Sequence, residues 1–353
     1  MKVRNAVLCL SCTLLVHSAF AQSSVTLYGR LGEDVNYTHI SGSKGTASKG
    51  AASMDDDASQ WGLRIQEDLG SGSKVISVLE NGFSLNNGAF QKSGYEFNKQ
   101  AYIGISNTRY GLLSLGQQYA PEFYVSTQVD PFGRFTNGSM IALFQALPTN
   151  SRGFYSGIPN SVQYTSPKIE GIQAKLSYSL SNGGTTAASN IGEAQGASLT
   201  YANDKLYLAA SYDNERIAST TAGLSSMSNS SYQVAATYQL PYVKVHGYYF
   251  HNDQRGKPGA YGYMLGLSSL ITPSNEVMFS VSKRSSPTSQ SGAKMAALGY
   301  NHFLSKRTVV YVSAAYLEND RNASYSLWPS LSSYTVTTGA HAVSVMAGIR
   351  HYF

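Results

Sequence analysis

The stretch Gly171-Ile172-Gln173-Ala174-Lys175-Leu176-Ser177-Tyr178-Ser179-Leu180 decides the fold. Ile172, Ala174, Leu176, Tyr178 and Leu180 share one face, and Gln173, Lys175, Ser177 and Ser179 share the other. A period of two is the signature of a β-strand with one apolar and one polar side. Ser231 to Leu240 repeats it, with Tyr232, Val234, Ala236, Tyr238 and Leu240 set against Ser231, Gln233, Ala235, Thr237 and Gln239.

Working outward from these two, the pattern predicts sixteen strands: 25–37, 58–68, 73–84, 97–107, 110–119, 159–167, 171–180, 194–203, 205–214, 231–240, 242–252, 260–271, 275–284, 293–303, 308–318 and 341–353. Short connections such as Lys168-Ile169-Glu170 and Thr272-Pro273-Ser274 alternate with long Gly/Ser/Asn-rich ones at Thr38–Ala58, Ala120–Asn160, Glu215–Asn229 and Asn319–Ala340. Short turns at one rim and long loops at the other are expected of an outer-membrane barrel. A strand tilted about 45° crosses the bilayer in about 9–11 residues, the length these segments have.

Composition agrees. Twenty-six tyrosines and 33 glycines accompany only 13% charged residues, and mean hydropathy is slightly negative. In a soluble β-protein so many tyrosines would bury hydroxyls without partners, whereas against lipid they form interfacial girdles. No stretch beyond the leader approaches the roughly 18–20 apolar residues of a membrane helix. An open sheet edge in hydrocarbon would leave backbone groups unsatisfied, so the first and last strands must pair. Sixteen strands enclose too wide a cylinder for side chains to fill, which implies an aqueous lumen.

Residues 1–21 read as a cleaved secretory signal peptide: Lys2 and Arg4, the apolar run Ala6–Val16, then Ala19-Phe20-Ala21. The mature chain is expected to be 22–353 as one barrel domain, with the long loop 120–160 narrowing its pore. Cys9 and Cys12 both fall in the leader, so no thiol chemistry is expected. Losing Lys2 and Arg4 takes two charges off the formal +6, leaving a mild positive balance without the basic patch of a nucleic-acid binder.

Several segments resemble the Gram-negative general porins of the trimeric neisserial and burkholderial type. They are Trp61-Gly62-Leu63-Arg64-Ile65-Gln66-Glu67-Asp68-Leu69-Gly70, Leu79-Glu80-Asn81-Gly82-Phe83, Gln100-Ala101-Tyr102-Ile103-Gly104-Ile105-Ser106 and Leu115-Gly116-Gln117-Gln118-Tyr119. Val162-Gln163-Tyr164-Thr165-Ser166-Pro167, Leu304-Ser305-Lys306-Arg307-Thr308 and the terminal Gly348-Ile349-Arg350-His351-Tyr352-Phe353 extend the similarity along the mature chain. Relatives commonly carry Arg at the position of Gln117, so a basic contribution is missing there. The resemblance implies a homotrimer with one pore per subunit, embedded in outer-membrane lipid and lipopolysaccharide. It also implies that Phe353 is the assembly signal read by the barrel-assembly machinery, and that the loop opening with Pro121-Glu122-Phe123 folds inward to constrict the channel.

Its acids, Glu122 and Asp130, are then expected to face basic residues across the lumen. Alternation nominates Arg30, Arg64 and Lys74 as inward bases and Glu80 and Asp34 as inward acids, while Arg134 and Arg152 belong to the loop itself. Opposed charges across a narrow lumen order water and favour small hydrophilic solutes and ions. The positive balance predicts a mild anion preference. A substrate-selective porin holding one nutrient class in its lumen is the alternative, and saturable block would reveal it. An outer-membrane enzyme or adhesin would need a catalytic constellation or a large exterior domain, and neither is present in the sequence.

Gly70-Ser71-Gly72-Ser73-Lys74 hints at a phosphate loop but joins two strands and lacks the helix such loops require. His39, His246, His251, His302, His341 and His351 lack ligand spacing, so neither a metal nor another cofactor is expected. Asp55-Asp56-Asp57 reads as solvated extracellular surface.

Overall fold

The computed structural model describes residues 23–42, 48–144, 157–180, 191–218, 226–254, 257–327 and 336–353. The leader, and with it residues 1–21, lies outside them, as does Arg152. Strands β1 (Ser24–Ser41), β2 (Lys49–Asp56), β3 (Gln60–Gly70), β4 (Ser73–Gly82), β5 (Gln100–Asn107) and β6 (Gly111–Tyr119) come first. Two short helices follow, α1 (Pro121–Val129) and α2 (Ile141–Phe144). Then come β7 (Gly157–Thr165), β8 (Ile172–Ser179), β9 (Ala194–Ala202), β10 (Leu206–Ala218), β11 (Ser226–Gln239) and β12 (Lys244–Gln254). β13 (Lys257–Thr272), β14 (Asn275–Ser285), β15 (Ala293–Phe303), β16 (Thr308–Asn319) and β17 (His341–Tyr352) complete the order.

Consecutive strands pair antiparallel, and the ring closes where Arg30–Ser41 of β1 runs against His341–Tyr352 of β17. Two further backbone bonds between Gly29 and Phe353, 3.0 and 3.1 Å, extend that seam to the last residue. On its other side β1 pairs with β3 through Ser24–Arg30 and with β2 through Glu33–Ile40. β2 and β3 are therefore two halves of one barrel strand, and the seventeen segments make a closed sixteen-stranded barrel.

The interruption at Asp57–Ser59 has a physical cause. Met54 in β2 points outward and is exposed, as are the odd-numbered Val25, Leu27, Val35 and Tyr37 of β1. In β3 the outward set is Trp61, Leu63 and Ile65, so the inward–outward phase slips by one residue. Ala58, with φ of 51°, absorbs the slip, as a bulge does. Reading for unbroken alternation therefore finds the lower half of this strand and assigns β2 to a loop. The acidic triplet is corrected by the same bulge: Asp57 is 1% exposed and turned into the wall rather than solvated on the exterior.

The outer surface is a continuous apolar band that includes Leu115, Leu176, Leu199, Val234, Leu265, Leu298, Val345 and Ile349, all exposed. Burying that band in lipid is what the alternation requires. The inner face departs from the expectation of a uniformly polar lining. Ser161, Gln163, Ser211, Ser231, Ser280 and Ser344 are inward and polar, but Ala235, Tyr248, Phe250, Met264, Met278, Met295 and Leu317 are inward and apolar. They form one cluster with Val125, Val129, Phe132, Met140, Leu143 and Phe144 of the long loop. The apolar patches of the inner wall between β10 and β16 are covered by the loop rather than by water.

Candidate pore constriction

The described part of the loop runs over residues 120–144, and β7 begins at Gly157. It enters the barrel through α1, which starts with Pro121 at a position where a missing N–H costs nothing. Pro121, Glu122, Val125, Ser126 and Val129 are its buried side, turned toward β9 to β12. Glu122 accepts hydrogen bonds from Ser231 Oγ at 3.0 Å and Gln233 Nε2 at 2.5 Å. Farther on, the carbonyl of Val129 meets His246 Nδ1 at 2.9 Å. Asn137 donates to Ser344 and accepts from Ser313, at 2.8 and 2.6 Å, and Arg284 donates to the Leu143 carbonyl at 2.6 Å. The loop is thus tied round the wall from β11 to β17 and leaves the arc of β1 to β6 to face it.

Four strand glycines make the seat. A Cβ at Gly196, Gly262, Gly266 or Gly299 would collide with Pro121, Phe144, Pro131 or Phe132 respectively. Glycine inside a strand often marks such close approach, and these four were the available signal for which wall the loop covers.

Glu122 and Asp130 do not face the lumen as anticipated. Glu122 is fully buried against β11, and Asp130 is 5% exposed. Asp130 organises the turn after α1, accepting from the amides of Phe132 at 3.0 Å and Arg134 at 3.2 Å and from Ser139 Oγ at 2.6 Å. A carboxylate is the short side chain that can satisfy three converging donors at a helix end, so its charge is spent inside the loop. Burial pushes the Glu122 carboxyl up to about 8, against the Ser231 hydroxyl, Arg134 and the Gln233 amide, which lower it, and with Glu215, which raises it. Burial also raises Asp130, opposed first by the Ser139 hydroxyl.

Glu122 holds its proton more tightly in the folded barrel than in the unfolded chain. Its contribution to stability is therefore fully present below the ordinary value of 4.5 and is lost as pH rises through about 8. Thermal unfolding in detergent across that window should show the barrel weakening with pH, and Glu122→Gln should remove much of the slope. Parallel profiles for the two proteins would exclude Glu122 as the titrating group.

Across the opening, the bases gather on the loop's aromatic residues. The Arg30 guanidinium lies 4.1 Å from the Phe135 ring centre, and Arg350, from β17, lies 4.5 Å from it. Arg134 lies 4.5 Å over Phe123, and Phe123 in turn stacks on Tyr119 at 4.0 Å. Arg134 itself has φ of 69°, outside the region a side-chain-bearing residue prefers. Lys99 lies within electrostatic reach of Arg30 and Arg134: burial pulls its ammonium down to about 8, and Arg30 and Arg134 lower it further while Asp56 and Glu80 raise it.

Three acids of this wall, Asp57, Asp34 and Glu80, have hydrogen-bond partners on the wall. Asp57 is paired with Arg350, Nη2 to Oδ2 at 2.5 Å, and both Asp57 and Asp34 accept from Tyr311 Oη at 3.1 Å. Glu80, 6% exposed, accepts from Tyr28 Oη at 2.6 Å and Gln100 Nε2 at 2.8 Å. Arg64 is exposed, 5.0 Å over Tyr28, and pairs in register with Thr26 and Val78, four residues along β3 from Gln60, which is opposite Arg30. Lys74 is exposed at the short-turn end of β4. Of the nominated residues, then, Arg30 and Arg134 converge with Phe135 and Phe123. Arg64 and Lys74 lie progressively farther toward the short turns, and Glu80, Glu122 and Asp130 are turned into the protein. Arg350 and Lys99 were missed. Arg350 was legible, since alternation with outward Val345, Ala347 and Ile349 puts it inside.

A family model described as Gram-negative porin matches residues 6–322. An outer membrane porin protein of Bordetella pertussis is 28% identical, over 95% of this chain and 96% of its own length. Outer membrane porin protein 32 of Delftia acidovorans is 27% identical over 95% and 96%. Among solved structures, an anion-selective porin from Comamonas acidovorans superposes with a TM-score of 0.82 at 25% identity, covering 94% of this chain and all of that one.

Proposed function

Because the chain belongs to the Gram-negative porins, channels of the outer membrane, we propose that its constriction is the opening beside the layer in which Phe135 packs against Arg30 and Arg350 of the wall, and that it passes small anions in preference to cations. The observation that carries this is the pair of guanidinium groups on one ring, at 4.1 and 4.5 Å. The ring face holds Arg30 in place without cancelling its charge, whereas the charge of Arg350 is matched by Asp57. Asp57 is matched by Arg350, while Arg30 and Arg134 lie on Phe135 and Phe123, and these two guanidinium groups bias the field at the opening toward anions. The similar porin from Comamonas acidovorans is described as anion-selective, which supports the same sign.

Arg30→Glu should move the reversal potential in a KCl gradient toward that of potassium, and Arg64→Glu should move it less, because Arg64 lies outside the Phe135 layer. Equal shifts, or none for Arg30, would remove Arg30 from the constriction. The rest of the reading follows the family resemblance. The leader 1–21 is cleaved, Phe353 is the residue recognised during barrel assembly, and three subunits associate in lipopolysaccharide-bearing membrane with one pore each. Conductance steps arriving in threes would support the trimer.

A further inference from the structure

On the short-turn side of α1 there is a half-open recess of about 390 Å³ whose lining does not include Phe135. It lies between α1 and the inner face of β8 to β10, with Tyr124 and Gln128 above, Lys175 and Thr200 on the wall, Tyr207 at the side and Lys168 at the turn below. No aspartate or glutamate lines it.

Lys175 carries its chemistry. Its ammonium donates to Thr165 Oγ1 at 2.7 Å and Gln163 Oε1 at 3.2 Å, and it lies 4.4 Å over the Tyr124 ring. An ammonium has three N–H donors, so two neutral acceptors leave one proton and the whole charge unmatched. A carboxylate is the group that takes such a donor most strongly. The space is within the range of small-molecule sites and is larger than a bare inorganic anion needs. Two tyrosines supply surfaces on which a flat ring packs in offset or edge-on contact, and Gln128 and Thr200 supply neutral polar groups for a ring substituent.

We propose that this recess is a binding subsite for small aromatic monocarboxylates, on the periplasmic side of the constriction. The proposal rests on the pore reading and deepens it: the channel passes anions generally and retains this class briefly on exit. The carboxylate pairs with Lys175, the ring packs between Tyr124 and Tyr207, and Lys168 at the mouth raises the local anion concentration. Short turns face the periplasm in such barrels, which fixes the side from which the subsite is reached.

The test is single-channel recording with 4-hydroxybenzoate added to one side at a time, each current normalised to the same protein's open current in KCl. The expected result is saturable block, stronger from the short-turn side, and weaker with cyclohexanecarboxylate, which has the charge but no π face. Lys175→Met should raise the half-blocking concentration about tenfold, the scale of one charge-assisted hydrogen bond, and Thr200→Trp, which fills the space, should abolish the sidedness. Block that is equal from both sides, equal for the two acids, or unchanged in Lys175→Met overturns the subsite. Bilayers that never conduct overturn the pore reading instead.

Discussion

Arg350→Met should cost the barrel about 3–5 kcal/mol, the scale of stranding one member of a buried ion pair. Asp57 has almost no exposed surface, and Arg350 approaches it with two nitrogens, Nε at 2.6 Å and Nη2 at 2.5 Å. Without that cation the carboxylate keeps the Tyr311 hydroxyl, which it shares with Asp34, and the more distant charge of Arg30. The site is also the seam of closure, since Arg350 pairs in register with Gly32 of β1 and Asp57 follows directly on β2. Urea or thermal unfolding in detergent should show the loss, and Asp57→Asn in the same chain should restore most of it. If the double variant is no more stable than Arg350→Met alone, the cost does not come from the stranded charge.

Excising the inward segment should have the largest effect on transport. A chain in which a short Gly-Ser bridge replaces Pro121–Phe144 should conduct several-fold more per channel and discriminate less between anions and cations. It loses Arg134, and it loses the Phe135 ring that positions Arg30 and Arg350. A second consequence distinguishes this loop from a floating plug. Phe250, Met264, Met278 and Met295 would be bared to water along the inner wall, so the excised barrel should also unfold at lower temperature. Unchanged conductance would mean that the loop does not narrow the path, and unchanged stability would mean that its apolar contacts contribute little.

The strands were legible because lipid on one side and protein or water on the other impose a period of two, and β15 (Ala293–Phe303) matches its expected span to the residue. The reading failed where that rule is locally suspended. At Ala58 the bulge reverses the phase, so unbroken alternation assigns β2 to a loop and Asp57 to the surface. On the inner wall, Met264 and Phe250 occupy positions that alternation assigns to water. What they meet is a loop whose path no periodicity encodes. The same loop explains Glu122 and Asp130. Their charge suggested an electrostatic role in the lumen, but Asp130 is needed to collect the amides of its own turn. Glu122 is needed to anchor α1 to Ser231 and Gln233. Phe135 carried no signal at all, because a single aromatic in an irregular segment acquires its place only once the loop is folded.

The most direct test of the central claim, that the ring closed by β1 and β17 encloses a water-filled path, is current through single refolded molecules of 22–353 in a planar bilayer. Discrete steps that rise linearly with voltage are expected, with conductance lowered by small polyethylene glycols that enter the lumen and untouched by large ones that do not. Bilayers that stay electrically tight after insertion, or steps indifferent to polymer size, would contradict it.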